Sequence, residues 1–253
     1  MLKGAGFPKF GFYPIGFKRS ISNIIQSVSW TPAELTTSLW LDASDSDTIT
    51  ESAGSVSQWN DKSGNDNHLT QTEAANQPLL SGSDLVFTNS NSTFIKRNNT
   101  NFSSAAIFIV ASLNDVAGIN GLVSSGSDNA NIRRNASTES LLLPSANKDD
   151  YGHNDGDYYI NGLVTNSITY GQLEIIEQMK GSLTESDFDN FFVGTNIFPS
   201  SRGWDGRINE IILLQSVPST SDRQKIEGYL AHKWGLEYNL PSDHPYRNLA
   251  PTI

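Results

Sequence analysis

Between Leu39 and Leu214 the apolar residues of this chain fall in short runs that are closed by Gly, Asn, Asp or Ser. Turn-forming residues at such intervals interrupt a helix but suit short strands. We predict strands near LWLDA, SVSQW, DLVFT, AAIFIVASL, GLVSS, SLLLP, YYING, LVTNSITY, QLEIIEQM, FFVGT and INEIILL. Many short strands without long helices favour a two-sheet antiparallel sandwich over an α/β fold.

Two of these segments carry stronger local signals. Asn161-Gly162 is a dipeptide that tolerates positive φ at both positions, so DYYI-NG-LVTN predicts a hairpin. The run AIFIVA is apolar at every position and predicts a central strand that is buried on both faces.

One amphipathic helix is predicted near the end of the chain, over residues 219–235. Ser219 is the expected N-cap and Gly235 the expected stop, and Ile226, Tyr229, Leu230 and Trp234 form an apolar stripe. We expect His232 and Lys233 on the exposed side of its last turn, where positive charge suits the helix dipole. A shorter capped turn is predicted at TPAEL, residues 31–35.

Residues 1–30 differ from the rest in composition. Glycine and proline exclude a regular helix there, yet the segment is too aromatic for a solvated linker. We interpret it as an extended docking arm in front of a domain over 31–246 and a tail over 247–253. The predicted contact residues are Phe7, Phe10, Phe12, Tyr13, Phe17, Lys18 and Arg19.

Charge separates this arm from the body. Four of the 17 basic residues and none of the 27 acidic residues precede Glu34, so the rest of the chain carries a net charge of −14. An acidic body repels phosphate, and we expect no nucleic-acid partner. The absence of cysteine excludes disulfides and thiolate sites.

The hydropathy pattern of the sequence also shows no targeting signal. No apolar run approaches the length of a membrane span, and Lys, Gly and Pro interrupt every candidate signal-peptide core. We therefore expect no signal peptide and no membrane insertion.

Oxygen-rich loops are the first candidate site. Asp42, Asp45, Asp61 and Asn65 offer the hard ligands that Ca²⁺ prefers, although the loop lacks the glycine and glutamate of an EF-hand. The alternative is that these side chains bond their own backbone in tight turns. We expect no cofactor, with Ca²⁺ as the competing hypothesis.

Carboxylates are the second candidate. Glu185, Asp187 and Asp189 alternate in TESDFDNFF, as a glycosidase acid pair could, but they also fit a turn before a strand. Glu210 follows Ile208 and precedes Ile212 on one predicted strand face. We expect it to be a buried structural carboxylate paired with Arg207, Arg223 or backbone.

Tryptophans could stack on sugars, but most adjoin a predicted strand or helix core. Trp204 stands in the glycine-flanked loop SRGWDGR and is the one that we expect to be exposed. Trp204 and Asp205 are therefore the predicted glycan contacts.

Three segments, which belong to two stretches of the chain, together resemble a known family. The sequences LWLDASDSDTIT, VSQWNDKSGNDNHLTQ and GWDGRINEIILLQSVPSTSDRQKIEGYLAHKWGL are similar to the laminin-G/concanavalin A-like jelly-roll modules of tailed-phage virion proteins and bacterial surface proteins. The resemblance covers roughly residues 39–246 and implies a jelly-roll sandwich. It implies function less sharply, because this fold carries lectins, adhesins, decoration proteins and a few enzymes.

The arm favours one of these roles. A single module behind an aromatic, basic segment is typical of a particle component, so we expect a non-enzymatic virion structural protein that is assembled in the host cytoplasm. It would be a capsid decoration protein or a tail fibre subunit that forms homo-oligomers, contacts other virion proteins through residues 1–30 and offers a surface to host polysaccharide. The competing hypotheses are a glycan-binding lectin module and a glycoside hydrolase on the same fold.

Overall fold

The structure of this protein is a computed structural model. It describes residues 28–98, 102–114, 118–125, 131–134, 158–179, 186–188, 190–196 and 202–253. Residues 1–27, which carry the seven predicted arm contacts, lie outside the described residues, as does the predicted strand SLLLP.

Antiparallel strands make up most of the described chain. They are β1 Thr37–Asp42, β2 Ile49–Ser52, β3 Ser55–Trp59, β4 Leu69–Thr70, β5 Leu79–Ser81, β6 Asp84–Phe87, β7 Ile95–Arg97, β8 Phe102–Ser104, β9 Ala106–Leu113, β10 Asn120–Ser125, β11 Asn131–Arg134, β12 Tyr158–Ile160, β13 Leu163–Val164, β14 Glu174–Met179, β15 Ser186–Phe188, β16 Phe191–Val193 and β17 Gly206–Leu214. Fifteen of them form a sheet in the order β11-β10-β16-β7-β4-β3-β5-β6-β17-β9-β14-β12-β13, with β1 added to β17 and β2 to β3, and β8 pairs with β15. This confirms the all-β prediction.

Two apolar clusters lie on opposite faces of the central strands. The larger cluster collects inward residues from strands near both ends of the sheet order, such as Ile132 of β11 and Ile160 of β12. That arrangement is consistent with a sandwich whose two halves face each other. The smaller cluster lies between the sheet and the C-terminal helix.

Strand β9 is the centre of the sheet, as AIFIVA predicted. It pairs with β17 on one side and β14 on the other, and all eight of its residues are buried. Ile107 and Ile109 face the larger cluster and Phe108 and Val110 the smaller one, so both faces of the strand are covered.

Strand β17 changes neighbour partway along its length. Residues 206–208 pair with β6, and residues 210–214 pair with β1, while β9 stays on the other side throughout. A bulge at Asn209 separates the two halves. Because a bulge shifts the alternation of side chains by one, Ile208 faces the larger cluster and Glu210 faces the helix. Our prediction that Ile208 and Glu210 share a face is wrong for this reason.

The helix α1, Thr220–Trp234, confirms the predicted boundaries. The Ser219 side chain accepts a hydrogen bond from the amide of Asp222, and Gly235 ends the helix with φ of 70°. Ile226 and Leu230 are fully buried against the sheet. No helix among the described residues is long and apolar enough to cross a membrane.

The shorter local predictions also have structural counterparts. Asn161 and Gly162 have φ of 51° and 77° and join β12 to β13, which confirms the hairpin. Residues Pro32–Glu34 form one 3-10 turn, but Thr31 makes no side-chain cap.

Residues 28–30 lie against the end of the chain. Ser29 forms a β-bridge with Thr252, the amide of Trp30 donates to Pro251 O at 3.0 Å, and that of Ile253 donates to Val28 O at 3.0 Å. The Trp30 indole is buried in the smaller cluster, edge-on to Tyr229. Residue 28, the first described residue, therefore lies beside residues 251–253.

Candidate functional site

Four charged side chains from distant parts of the sequence meet under the last turn of α1, and we call them the charged bridge: Asp42, Lys62, Glu210 and Lys233. Lys233 Nζ lies 2.7 Å from Asp42 Oδ2 and 2.7 Å from Glu210 Oε2. Lys62 Nζ lies 2.9 Å from the same Asp42 oxygen. The bridge joins the first strand, the loop after β3, the bulged strand β17 and the helix.

Glu210 is the most enclosed member of the charged bridge. Its side chain is 0% exposed and accepts hydrogen bonds from Trp40 Nε1 at 2.8 Å, Tyr229 Oη at 2.9 Å and Trp234 Nε1 at 2.7 Å. Burial was predicted correctly, but the predicted partners Arg207 and Arg223 are wrong. Arg207 contacts Asp84 instead, because the bulge separates its neighbourhood from that of Glu210.

The position of the Lys233 side chain also differs from the prediction. We expected it on the exposed face of α1, yet its ammonium group turns back to the sheet and also donates to Tyr229 Oη at 3.2 Å. The long lysine stem lets the charged end reach two carboxylates that the helix itself does not approach. Since Asp42 and Glu210 are almost completely buried, their charges require this partner.

The site shifts the pKa values of Glu210, Asp42 and Lys62. Burial raises the pKa of Glu210, and the Lys233 ammonium opposes that shift only in part. Burial also acts to raise the pKa of Asp42, but hydrogen bonds from Lys233 and Ser44 outweigh it and hold the pKa below its usual value. Burial acts to lower the pKa of Lys62, but the carboxylates of Asp45 and Asp42 raise it overall.

Among the proposed calcium ligands, Asp42 belongs to the charged bridge and Asp45 and Asp61 lie next to it, and all three carboxylates accept from protein donors. Asp45 Oδ2 lies 2.7 Å from Lys62 Nζ. Asp61 accepts from the amides of Trp40, Ser63 and Asn67 at 2.8–3.0 Å. The arrangement favours the turn interpretation, and within the described ranges no three His, Asp or Glu side chains are grouped to hold a metal.

The loop around Asp61 covers the outer edge of β1. Asn65 Nδ2 donates to Thr37 O and Asn67 Nδ2 donates to Ser38 O, each at 2.8 Å, while the Lys62 amide donates to Trp40 O at 2.7 Å. These bonds take the place of a further strand beside β1. Asn65 therefore binds backbone carbonyl groups through its nitrogen.

An open cavity of about 230 Å³ adjoins the charged bridge on the side of Lys62. It is lined by Ala33, Leu35, Thr36, Thr37, Trp40, Lys62, Ser63, Asn65 and Gln215. Apart from Lys62 and the indole of Trp40, its polar groups are neutral hydroxyls and amides. Such a lining suits a small neutral polar ligand.

A second buried cluster fixes the other end of α1 to β14. Arg223 donates to Glu227 Oε1 and lies 3.9 Å from Glu177 Oε2, and His244 Nε2 lies 2.6 Å from Glu227 Oε2. The Tyr246 amide donates to His244 Nδ1, which places the imidazole proton on Nε2. Burial and the neighbouring Glu227 raise the pKa of Glu177 well above its usual value. The sequence does not indicate this cluster, because Glu177 and His244 are distant along the chain from the helix that carries Arg223 and Glu227.

The prediction that Trp204 is exposed is wrong. Its side chain is fully buried in the larger apolar cluster, and Nε1 donates to Ser112 O at 2.9 Å. The flanking glycines let the loop bring the indole inward, so the ring offers no open face to a sugar. Asp205 is half-buried and accepts from Asn114 Nδ2 at 2.8 Å and from the amide of Asn89 at 3.2 Å.

The remaining predicted acids fall at or beyond the limits of the described residues. Glu185 and Asp189 lie outside them, and Asp187 belongs to strand β15, which pairs with β8. The glycosidase pair therefore stays a prediction.

Comparisons with protein-family models, with curated proteins and with solved structures gave no significant match for this chain.

Proposed function

We propose that this chain is a non-enzymatic structural protein of a tailed-phage particle. Residues 1–30 would dock on other virion proteins, and the β body would project outward as a capsid decoration or tail fibre subunit, in several copies. The proposal includes the finer fold assignment, a laminin-G/concanavalin A-like jelly roll.

The observation that carries the proposal is where the arm joins the body. Residues 28–30 pair with residues 251–253, so the aromatic and basic segment starts at one defined place on the surface. Val28 and Ile253 are 64% and 69% exposed there. Exposed apolar side chains beside an aromatic segment suit a contact with another protein.

The distribution of charge also supports different roles for the arm and the body. The body is acidic and the arm is basic, so two copies would attract each other arm to body, while the bodies repel. Among the described residues, the charged bridge and the second buried cluster, around Arg223, each connect α1 to the sheet. We therefore assign their buried carboxylates a structural role.

Particle binding tests the proposal directly. Particles that lack the protein are mixed with the full chain, with a chain lacking residues 2–20, and with a Phe10, Phe12 and Phe17→Ser triple variant. We expect only the full chain to co-sediment with particles, because both variants lose aromatic anchors. Tyr238→Ser, which removes a 75% exposed ring from the body, is the matched control and should still bind. Normal attachment of a folded truncated chain would contradict the proposal.

A second candidate function is glycan binding, and the 230 Å³ cavity favours it. Planar amides beside an indole edge are suited to sugar hydroxyls. A glycan array with and without Ca²⁺ would test it by comparing the wild type with Gln215→Ala in the cavity and Gln172→Ala elsewhere on the surface. Glycan binding that is weakened only by Gln215→Ala would support the cavity as the binding site. If neither the wild type nor the control bound any glycan, glycan binding would be excluded.

A further inference from the structure

The contact between Lys233 and Asp42 has a geometry that suits a covalent reaction between the two side chains as well as an ion pair. The nitrogen nucleophile lies 2.7 Å from a carboxyl oxygen of Asp42, and the same nitrogen lies 2.7 Å from Glu210 Oε2. The amine thus contacts both the carboxyl group that it can attack and a second carboxylate that can move protons. We propose that Lys233 and Asp42 form an intramolecular isopeptide bond, and that Glu210 promotes it.

The reaction is a condensation that consumes no other reagent. A proton moves from the Lys233 ammonium, through Glu210, to the carboxylate of Asp42, which leaves a neutral amine and a neutral carboxyl group. Nζ attacks Cγ of Asp42, Glu210 takes a proton from the nitrogen and returns it to the departing hydroxyl, and the Cγ–O bond breaks. The products are one amide and one water molecule, and Glu210 ends in its starting state.

The surroundings favour this step over simple ion pairing in water. The side chains of Asp42 and Glu210 are 4% and 0% exposed, and Trp40, Tyr229 and Trp234 donate hydrogen bonds to the Glu210 carboxylate. Removing water destabilises separated charges relative to the neutral pair. Fixed contact also replaces an encounter in solution, which in well-oriented systems corresponds to effective concentrations of roughly 10⁵–10⁸ M.

Acid–base equilibria define the resting state and the role of Glu210. The lowered pKa of Asp42 means that the ion pair predominates before reaction. Burial raises the pKa of Glu210, which brings this carboxyl group closer to the range in which proton transfer is efficient. The amide, once formed, carries neither charge and removes the need to keep both ions buried.

Lys62 provides an internal comparison. It also contacts Asp42, at 2.9 Å, but its second carboxylate is Asp45, whose side chain is 33% exposed. Lys62 therefore lacks a buried proton carrier, and its raised pKa keeps it charged. The geometry assigns Lys233 as the nucleophile.

Intact mass spectrometry of the full chain in denaturant tests the bond. We expect the wild type to weigh one water molecule less than its sequence, and Lys233→Arg to have the full sequence mass, because a guanidinium does not attack. Lys225→Arg is the matched control and should keep the loss of water, because Lys225 lies on the same helix and pairs with Asp222 outside the charged bridge. Glu210→Gln should show the full mass or a much slower loss of water over days.

Peptide mapping identifies the linked atoms. Trypsin should release a branched peptide in which residues 20–62 are joined to residues 226–247, because cleavage after a linked Lys233 is blocked. Wild-type protein at its full sequence mass after purification and prolonged incubation would overturn the proposal. A bond that maps to Lys62 would overturn the assignment to Lys233. The mass of the wild-type protein tests for the bond whether or not the variants fold.

Discussion

At the scale of single residues, buried carboxylates set the chemistry of this protein. Glu210 and Glu177 are both fully buried, but the donors and charges around the two carboxyl groups differ. Glu210 accepts from two indoles, a tyrosine and a lysine, whereas Glu177 lies near the Arg223 guanidinium, at 3.9 Å, the backbone of Gly162 and the like charge of Glu227. A carboxyl group in the second environment keeps its proton to a higher pH than a solvated glutamate does.

The pH dependence of stability follows from Glu177. Its raised pKa means that the folded state keeps a proton which the unfolded chain releases above the ordinary glutamate pKa. The free energy of unfolding is therefore unaffected by this group at low pH, and it falls as the pH rises from the unfolded pKa towards the folded one. Each unit of difference between the two pKa values corresponds to about 1.4 kcal/mol.

Glu177→Gln should remove that fall, because a carboxamide resembles the neutral acid and does not ionise. Urea unfolding at several pH values between acid and neutral conditions measures it. We expect the variant to be more stable than the wild type at neutral pH and equally stable in acid. The exposed Glu73→Gln is the control and should follow the wild-type curve. A variant that is destabilised equally at every pH would show that folding does not raise the pKa of Glu177.

At the scale of elements, the covered edge of β1 distinguishes this sheet. The loop after β3 takes up backbone groups of β1 that a further strand would otherwise pair, and Asp61 organises that loop by accepting from three amides. Edges protected in this way do not pair with other chains. The sequence DKSGNDN indicated tight turns but not their position, because the bonds join residues about 20 to 30 positions apart.

Asp61→Asn should loosen this cover. The amide has one acceptor oxygen in place of two, so we expect a loss of about 2–3 kcal/mol in the free energy of unfolding and greater light scattering on storage. Asp66→Asn is the matched control, because Asp66 lies in the same loop with its side chain exposed and its positive φ suits asparagine. Equal stability of the two variants would contradict the role of Asp61. If Asp61 instead held Ca²⁺, a chelator would lower the unfolding midpoint of the wild type.

At the scale of the whole molecule, local signals predicted the elements and long-range contacts decided the site. The hairpin at Asn161-Gly162, the central strand and the limits of α1 follow from turn chemistry, two-sided hydrophobicity and capping, which are encoded within a few residues. The bulge at Asn209 could not be predicted in this way, because it arises where β17 exchanges β6 for β1. That exchange turns Glu210 to the helix and brings Lys233 to it.

The burial of Trp204 has the same origin. Its flanking glycines indicate a loop, but only the approach of β9 supplies Ser112 O and an apolar space for the ring. A pattern read along the chain does not contain that partner.

The position of Trp30 determines how the body would respond to mechanical load. A pulling force applied through residues 1–27 would act on the bridge between residues 28–30 and 251–253, and then on an indole that lies in the cluster beneath α1. Extracting Trp30 would require α1 to lift from the sheet. Because Lys233 connects this helix to β1 and β17, tension from the arm would be distributed into the centre of the sheet before any strand detached.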